Sequence, residues 1–385
     1  MRIRDFEFNL RELAGSMGDF GTLFPLAIGY FAVNGLNPAG LLVMMGLANI
    51  VTGIVYRLPM PIEPKKLLAV VAIFQKWPPS LIYATGFGTG LIWLILAFTG
   101  LAQKIAALTP RSVVRGIQVA LGIMLAIQGF NMLNTGSIVW ILEAVSIKIG
   151  WILGIVSIII VIFLRQNKYA PAAIVLMVLG IAVVGFKGEL TEVIHFGLTL
   201  PPLTRFSPIE IWQGMVLAGF AQIALTASNA VIATSALITQ YFPDKVVSEK
   251  KLGLDHGVMN IISPFFGGMP MCHGAGGLAG QYYFGARTGG TNIIEGLIEI
   301  SLGLFLTGSI ATLFAVFPES IIGAMLLLVG IELVKFARDI KLKEIAIIAL
   351  TVGLSLATNM AIGFVVAVVA YHALRRWGKG KKYIE

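Results

Sequence analysis

The chain alternates long apolar stretches with short polar connections, and two of the apolar stretches are broken in the middle. The stretch 257–280 carries Pro264, Pro270 and a run of glycines, and the stretch 46–67 carries Pro59, Pro61 and Pro64. Proline removes a backbone donor and glycine lowers helix propensity, so neither stretch can form one continuous helix. Irregular backbone at membrane depth is tolerated only where it lines a cavity enclosed by protein. The two breaks therefore predict a binding site.

The two broken stretches belong to a tandem duplication. Asn260 and Pro270 follow Asn49 and Pro59 by the same 211 residues. A second block of matches, 208 residues apart, joins Pro110, Ser112, Gly122 and Ile123 to Pro318, Ser320, Gly330 and Ile331. Chance similarity between apolar stretches would favour matches at Leu and Ile, whereas these matches include Asn, Pro and Gly rather than only Leu and Ile. Paired interruptions at corresponding places in two halves are typical of a transporter's binding site.

The unbroken apolar stretches predict membrane spans, and each broken stretch adds one short half-helix. In the first repeat the predicted spans are 13–33, 39–56, 80–102, 110–130, 138–164 and 171–186, with a half-helix at 65–74. In the second they are 209–238, 247–266, 292–316, 318–336, 340–356 and 360–374, with a half-helix at 273–284. The half-helices are too short to cross a hydrocarbon core of about 30 Å. The pattern predicts an all-α membrane protein of about 14 elements. Seven elements per repeat would invert the second half.

Composition and charge agree with this architecture. Hydrophobic residues make up 57% and charged residues 12% of the chain, against about a quarter charged in soluble proteins. The net charge of +9 forms no stripe or recognition helix, which argues against a nucleic-acid partner and leaves the lipid bilayer as the surroundings. Lys and Arg instead concentrate on one predicted side, the other side holding only Lys76, Lys148, Lys187 and Arg205. This bias predicts that both termini are cytoplasmic. One cysteine, Cys272, excludes an internal disulfide.

The predicted half-helices begin near the midplane with their N-termini facing each other. The first N–H groups of a helix have no internal partner, and the dipole there is positive, so the two ends would attract an anion. Backbone N–H groups of Lys66, Gly274, Ala275 and Gly276 are the candidate donors, because glycine lets a ligand approach the main chain. The alternative for the glycines is close helix packing.

Three charged side chains near this point have two interpretations. Lys65 and Lys66 can offer a fixed positive charge to an anion, or form an ion pair with Glu63 or Asp19 that holds the fold. Asp19 is either such a structural partner or a protonatable coupling group. Glu63 is expected to stay ionised beside two lysines, which leaves Asp19 or His273 as the proton carrier if transport is coupled to protons.

Polar uncharged side chains supply the remaining candidates. Gln222, Thr226 and Asn229 are spaced by four and three residues, so a regular helix places them on one face. They can complete an oxyanion shell or hydrogen-bond between spans. His273 can cap the half-helix, contact substrate or titrate near neutral pH. Cys272 and four dispersed histidines lack metal-ligand spacing, so no metal or cofactor is expected.

Three motifs resemble those of the molybdate transporter family, distant relatives of the sulfate permeases. They are Gly18-Asp-Phe-Gly-Thr22, which adds Thr22 to the candidate substrate contacts, Pro59-Met-Pro-x-x-Pro-x-Lys66, and Met269-Pro-x-Cys-His-Gly-Ala-Gly-Gly-Leu-Ala-Gly-Gln281. The resemblance implies the seven-plus-seven inverted repeat shared with uracil permease, and often a homodimer. Within the family pattern, Glu63 stands where Gln is expected and Lys65 where an apolar residue is expected.

The same resemblance implies how the chain divides. Repeat one is 1–190, with core elements at about 13–104 and gate elements at about 110–186. Repeat two is 205–377, with core elements at about 209–316 and gate elements at about 318–374. Residues 378–385 form a basic cytoplasmic tail.

The expected function is secondary transport of a tetrahedral oxyanion, molybdate first and sulfate or tungstate as substitutes, by motion of core against gate in the plasma membrane of a prokaryote. A bicarbonate or nucleobase carrier of the same fold is the alternative. Nucleobase permeases generally place a carboxylate on the helix that here offers Gln222, Thr226 and Asn229. A membrane-embedded hydrolase using His273 or Cys272 is a remote alternative, and no enzymatic activity is expected.

Overall fold

The structure is a computed structural model that describes residues 2–18, 20–135, 138–142, 145–164, 172–186, 188, 194–335, 341 and 344–378. The first half contains helices α1 (Leu10–Ser16), α2 (Phe20–Ala32), α3 (Pro38–Tyr56), α4 (Lys66–Phe74), α5 (Pro79–Thr99), α6 (Ala102–Leu108), α7 (Arg111–Leu133), α8 (Ile149–Leu164) and α9 (Ala172–Phe186). The second half contains α10 (Pro208–Tyr241), α11 (Glu249–Ile262), α12 (Ala275–Phe284), α13 (Gly290–Phe305), α14 (Thr307–Val316), α15 (Glu319–Lys335), α16 (Ile345–Ala357) and α17 (Met360–Gly378). Six short strands accompany them: β1 (Arg2–Ile3), β2 (Phe6–Glu7), β3 (Glu63–Pro64), β4 (Ile138–Leu142), β5 (Val145–Lys148) and β6 (Met271–Cys272).

Several of the long helices begin at a capping residue followed by proline. The Asn37 side chain accepts hydrogen bonds from the N–H groups of Ala39 and Gly40, and Pro38 starts α3. Ser207 and Glu210 form a reciprocal capping box, and Pro208 starts α10. Proline suits the first helical position because the N–H it lacks would have had no partner there. The starts of these spans are therefore encoded locally.

Among the described residues, α3, α5, α7 and α10 are each long and apolar enough to cross a membrane. The predicted span 292–316 is wrong as a single helix, because α13 and α14 meet at a bend of 80°. The connection between the two halves makes this bend tolerable. Its Thr199 and Gly197 N–H groups donate to the freed carbonyls of Leu304 (2.7 Å) and Phe305 (3.2 Å).

The predicted span 138–164 is also wrong at its start. Residues Ile138–Leu142 and Val145–Lys148 pair as an antiparallel hairpin, and α8 begins only at Ile149. This part of the sequence is rich in Ile and Val, which favour strands. The first predicted span, 13–33, divides into α1 and α2.

The main helix contacts repeat between the two halves. Helix α3 packs on α13, its repeat counterpart α11 packs on α5, and α7 packs on its own counterpart α15. Glycines set the close approach. A Cβ on Gly46 would lie 2.5 Å from the Gly296 carbonyl oxygen, and one on Gly122 would lie 2.5 Å from that of Gly330. These exchanges fit the predicted internal symmetry, while the inverted orientation of the second half stays a prediction.

The two broken stretches cross as a two-residue antiparallel ladder. Strand β3 pairs with β6, Glu63 opposite Cys272 and Pro64 opposite Met271, and the Lys65 N–H donates to the Pro270 carbonyl (2.9 Å). The ladder thus gives partners to backbone groups that proline and glycine exclude from helices. Helices α4 and α12 then leave the crossing, and α4 is buried from Leu67 to Ile73.

Asparagine side chains on the surrounding helices form hydrogen bonds to the backbone of the two crossing stretches. The Met271 N–H donates to Asn260 Oδ1 (2.8 Å), and Asn260 Nδ2 donates back to the Met271 carbonyl (2.7 Å). In the first half the equivalent Met60 N–H donates to Asn292 Oδ1 (2.9 Å). Asn292 in turn donates to Asn49 (2.8 Å), the repeat counterpart of Asn260. The matched asparagines of the repeat thus both support the crossing: Asn260 bonds directly to Met271, whereas Asn49 bonds to Asn292, which bonds to Met60.

Candidate functional site

A cavity of about 550 Å³ opens beside the crossing. The starts of α4 and α12 form one part of its wall, and α7 and α15 form another. Its polar lining residues are Lys66, Arg115, Gln118, Asn229 and Glu332, with Gly276 and Gly277 presenting main chain. The apolar lining residues are Leu26, Val70, Leu121, Leu225, Val329 and Leu333, and Gly18 completes the wall. Its size is typical of a small-molecule site.

Three of the predicted contact residues line this cavity, namely Lys66, Asn229 and Gly276. Lys66 is the first residue of α4, and Gly276 is the second residue of α12. A Cβ added to Gly276 would meet no atom within 4 Å, so this glycine borders open space. Ala275 is half-buried beside it. Asp19 and the side chain of Thr22 lie outside the described residues.

Glu63 lies under the N-terminus of α12. A Cβ on Gly274 would lie 2.6 Å from Glu63 Oε2, and one on Gly277 would overlap Oε1. A carboxylate at a helix N-terminus is stabilised by the helix dipole. The same carboxylate forms an ion pair with Lys66 across 3.0 Å. The chain therefore carries an anion of its own next to the cavity.

The two adjacent lysines differ in their surroundings. Lys66 retains 25% of its side-chain exposure and faces the cavity while it pairs with Glu63. Lys65 is fully buried and donates from Nζ to Thr89 Oγ1 on α5 (2.8 Å). Of the two lysines, Lys66 is therefore the one that a ligand in the cavity can reach, and Lys65 joins the start of α4 to α5.

Gln222 forms hydrogen bonds to the neighbouring helix α4 and to Thr226 on its own helix. The Leu68 N–H in the first turn of α4 donates to Gln222 Oε1 (3.3 Å), and Gln222 Nε2 donates to Thr226 Oγ1 (2.9 Å). Asn229 points elsewhere, into the cavity. The reason is the π-helical turn from Thr226 to Ala233, because a wider turn rotates later side chains away from the face that regular helical spacing predicts.

His273 is directed away from the cavity toward α11. Its ring Nδ1 lies 3.0 Å from the Pro61 carbonyl oxygen, and its Nε2 lies 2.8 Å from Asp255 Oδ2. Its backbone N–H donates to His256 Nε2 (3.2 Å). The described residues contain no cluster of His, Cys, Asp or Glu that could hold a metal ion.

The wall formed by α7 and α15 was not predicted from the sequence. Arg115 Nη1 donates to Gln118 Oε1 (3.1 Å), and Glu332 forms an ion pair with Lys335. In the sequence, Arg115 contributed only to the excess of Lys and Arg on the predicted cytoplasmic side. Its position inside a predicted span, one turn after Arg111, is the signal that could have drawn attention to it. Cationic, amide and main-chain N–H groups converge on the cavity, a donor set suited to an anion.

The fold is that of known membrane anion transporters. The chain matches the transmembrane domain of BicA, a cyanobacterial bicarbonate transporter, with a TM-score of 0.68 and 16% identity, over 96% of this chain and 98% of that one. It matches the murine anion transporter Slc26a9 in its inward-facing state with a TM-score of 0.70 and 14% identity, over 98% of this chain and 69% of that one. The chain thus has the fold of these membrane proteins, which confirms the predicted fold class.

Sequence comparison gives the family. The sequence model described as "Molybdate transporter of MFS superfamily" matches residues 11–125 and 214–333. The chain is 32% identical to Molybdate transporter 1 of Arabidopsis thaliana, over 98% of this chain and 91% of that protein. It is 31% identical to Molybdate transporter 2 of the same plant, over 94% and 87% respectively. The chain belongs to the molybdate transporter family, which confirms the resemblance of its motifs.

Proposed function

We propose that this protein is a secondary transporter that carries molybdate across the membrane without changing it chemically. Membership of the molybdate transporter family is the observation that carries the proposal. The cavity supports it, because Lys66, Asn229 and the open main chain at Gly276 meet there. A tetrahedral oxyanion would take a point charge from lysine, an amide donor from Asn229 and N–H groups from the start of α12.

Sulfate and tungstate are the substitutes to expect. They present the same tetrahedral geometry and charge, and a site built from a point charge and main-chain donors separates such analogues weakly. A planar nucleobase would need a different donor and acceptor pattern. Bicarbonate, the substrate named for BicA, is planar and carries one charge less.

The proposed cycle moves the core elements 13–104 and 209–316 against the gate elements 110–186 and 318–374. The cavity wall fits this division, because Lys66, Asn229 and Gly276 belong to the first set and Arg115, Gln118 and Glu332 to the second. The second set lies where the charge bias predicts the cytoplasm. We therefore interpret the structure as an inward-facing state. Assembly as a homodimer in a prokaryotic plasma membrane, with both termini cytoplasmic, belongs to the same proposal.

Uptake of labelled molybdate into proteoliposomes tests the function. Purified protein should give saturable uptake that unlabelled molybdate and tungstate abolish and sulfate reduces, whereas uracil has no effect. Liposomes without protein and liposomes with the Gly276→Val variant are the controls. Saturable uptake of uracil or bicarbonate, together with failure to transport molybdate, would contradict the proposal.

A further inference from the structure

His273 and Asp255 form a pair beside the crossing of β3 and β6. The histidine is fully buried, the Asp255 side chain is 19% exposed, and Nε2 lies 2.8 Å from Oδ2. His273 directly precedes Gly274, the N-cap of α12, and Asp255 lies on α11. The pair therefore joins a partly accessible carboxylate to the first turn of the cavity-lining half-helix.

Both ring nitrogens of His273 face oxygen acceptors. The Pro61 carbonyl can only accept, so the nearby Nδ1 carries a hydrogen. With a bare Nε2, the lone pairs of that nitrogen and of the Asp255 carboxylate would face each other at 2.8 Å. One further proton between Nε2 and Oδ2 turns this contact into a charge-assisted hydrogen bond. Both contacts of the ring are hydrogen bonds only when the pair holds this proton.

The neighbouring imidazole of His256 does not take this role. Its Nε2 accepts the His273 backbone N–H (3.2 Å), so its hydrogen is on Nδ1, which lies 2.6 Å from the Leu252 carbonyl oxygen. A proton added to Nε2 would break the first bond. His256 is held as one neutral tautomer.

Other titratable groups approach the pair from each adjoining element. The Tyr56 ring on α3 lies 6.0 Å from the His273 ring, and Lys251 Nζ on α11 lies 4.5 Å from the centre of the Tyr56 ring. On the crossing strands, Cys272 precedes His273 and pairs with Glu63. Lys66 neutralises Glu63, and Lys65 is bonded to Thr89. The partly exposed Asp255 gives the bound proton its route to water.

We propose that the His273 and Asp255 pair is a proton-binding site coupled to the anion site. A proton from water binds between Nε2 and Oδ2 and later returns to water, and no bond of the anion changes. When the proton is bound, it fixes His273 and hence the N-terminus of α12, where Gly276 faces the cavity. When the proton is lost, two lone pairs repel each other and the N-terminus of α12 becomes less rigid. This inference rests on the proposed function only for the identity of the anion.

Acid–base titration of the purified protein tests the proton site without any substrate. Asp255→Asn offers an amide N–H to Nε2 and removes the need for the proton, so this variant should bind one proton fewer than the unmodified protein. Asp244→Asn, which removes an exposed carboxylate from the loop before α11, should bind as many protons at neutral pH as the unmodified protein. Coincident curves for all three proteins would overturn the proposal.

The unmodified protein by itself also tests the site, should Asp255→Asn fail to fold. Calorimetry of molybdate binding in two buffers of different ionisation enthalpy should show net proton uptake, and affinity should fall by up to about tenfold per pH unit above the titration point. Zero proton uptake at every pH would overturn the coupling of the pair to the anion site.

Proteoliposomes test the coupling to transport. With the membrane potential clamped, an acidic exterior should drive molybdate accumulation by the unmodified protein, and Asp255→Asn should transport without responding to the gradient. Molybdate uptake that ignores the gradient would overturn the coupling. No molybdate uptake at all would contradict the proposed function instead, and the titration would still decide the proton site.

Discussion

Lys66 lines the cavity while its Nζ forms an ion pair with Glu63 Oε2 at 3.0 Å. An anion in the cavity would compete with the Glu63 carboxylate for the same ammonium group. It would also compete for the N-terminus of α12, against which Glu63 packs. For the proposed substrate site, this arrangement predicts that affinity depends on a balance between the Glu63 carboxylate and the bound anion.

This balance predicts opposite effects for the two partners. Lys66→Gln should weaken molybdate binding more than tenfold, because a charge-assisted contact contributes about 1.5 to 3 kcal/mol. Glu63→Gln should strengthen binding, because it removes a competing charge. Equilibrium binding to detergent-purified variants measures both, with thermal unfolding as the control for folding. Unchanged affinity in a folded Lys66→Gln protein would exclude this lysine from the site.

Gly276 and Gly277 offer a matched pair of substitutions one residue apart. A Cβ at Gly276 would project into open space, so Gly276→Ala should fold normally but lose transport. The larger side chain of Gly276→Val should likewise abolish transport. Alanine at Gly277 overlaps Glu63 and approaches Pro61 within 3.0 Å, so Gly277→Ala should lower the unfolding temperature by several degrees. Uptake and thermal unfolding distinguish the two effects. Equal loss of stability in both variants would mean that Gly276 serves packing.

Lys65 is predicted to be dispensable for transport. It is buried against Thr89, and replacing a buried charged group by an apolar one of similar volume is often neutral or stabilising. Lys65→Met should unfold at the same or a higher temperature and retain uptake. A folded Lys65→Met protein without uptake would contradict this prediction and indicate that Lys65 takes part in binding.

At this scale the sequence could identify residues but not their orientation. Lys66 and Gly276 were predicted because each lies in the first turn of a half-helix after a break that contains proline. The separation of Asn229 from Gln222 depends on a π-helical turn, which side-chain spacing does not reveal. The direction of His273 depends on Asp255, eighteen residues earlier in the chain, and no short motif records that contact.

The seam between α7 and α15 is an element-scale feature with a direct test. A Cβ on Gly330 would lie 2.6 Å from the Gly122 carbonyl oxygen, so Gly330→Ala should separate the helices and lower stability. The matched control is Gly353→Ala in α16, where a Cβ meets nothing within 4 Å. Alanine in that helix interior should be neutral or stabilising by up to about 1 kcal/mol. Equal unfolding temperatures for the two variants would contradict a tight seam.

Helix positions were largely predictable because caps, prolines and apolar length are local signals. The α13/α14 bend and the β4/β5 hairpin were not. The bend depends on N–H groups from the connection 194–207, which is distant in sequence. The hairpin lies in an apolar stretch long enough for a span, so hydropathy alone could not distinguish strand from helix.

At the scale of the whole molecule, the inward-facing interpretation predicts which side reaches the cavity. Cys272 is buried and is the chain's single cysteine, so thiol labelling of a variant reports on the introduced cysteine. Gln118→Cys should react with a membrane-impermeant thiol reagent from the cytoplasmic side, and molybdate should slow the reaction. The same substitution at Lys76, beyond the end of α4, should react from outside. Labelling of both positions from one side would contradict the topology.

The β3 and β6 ladder has a consequence for the origin of the protein. Each half contributes one strand, so a half on its own would expose unpaired backbone groups in hydrocarbon, at several kcal/mol for each group. A half-length ancestor could meet that demand by pairing its strand antiparallel with that of a second copy of itself. Duplication and fusion would then have joined two partners that already depended on each other.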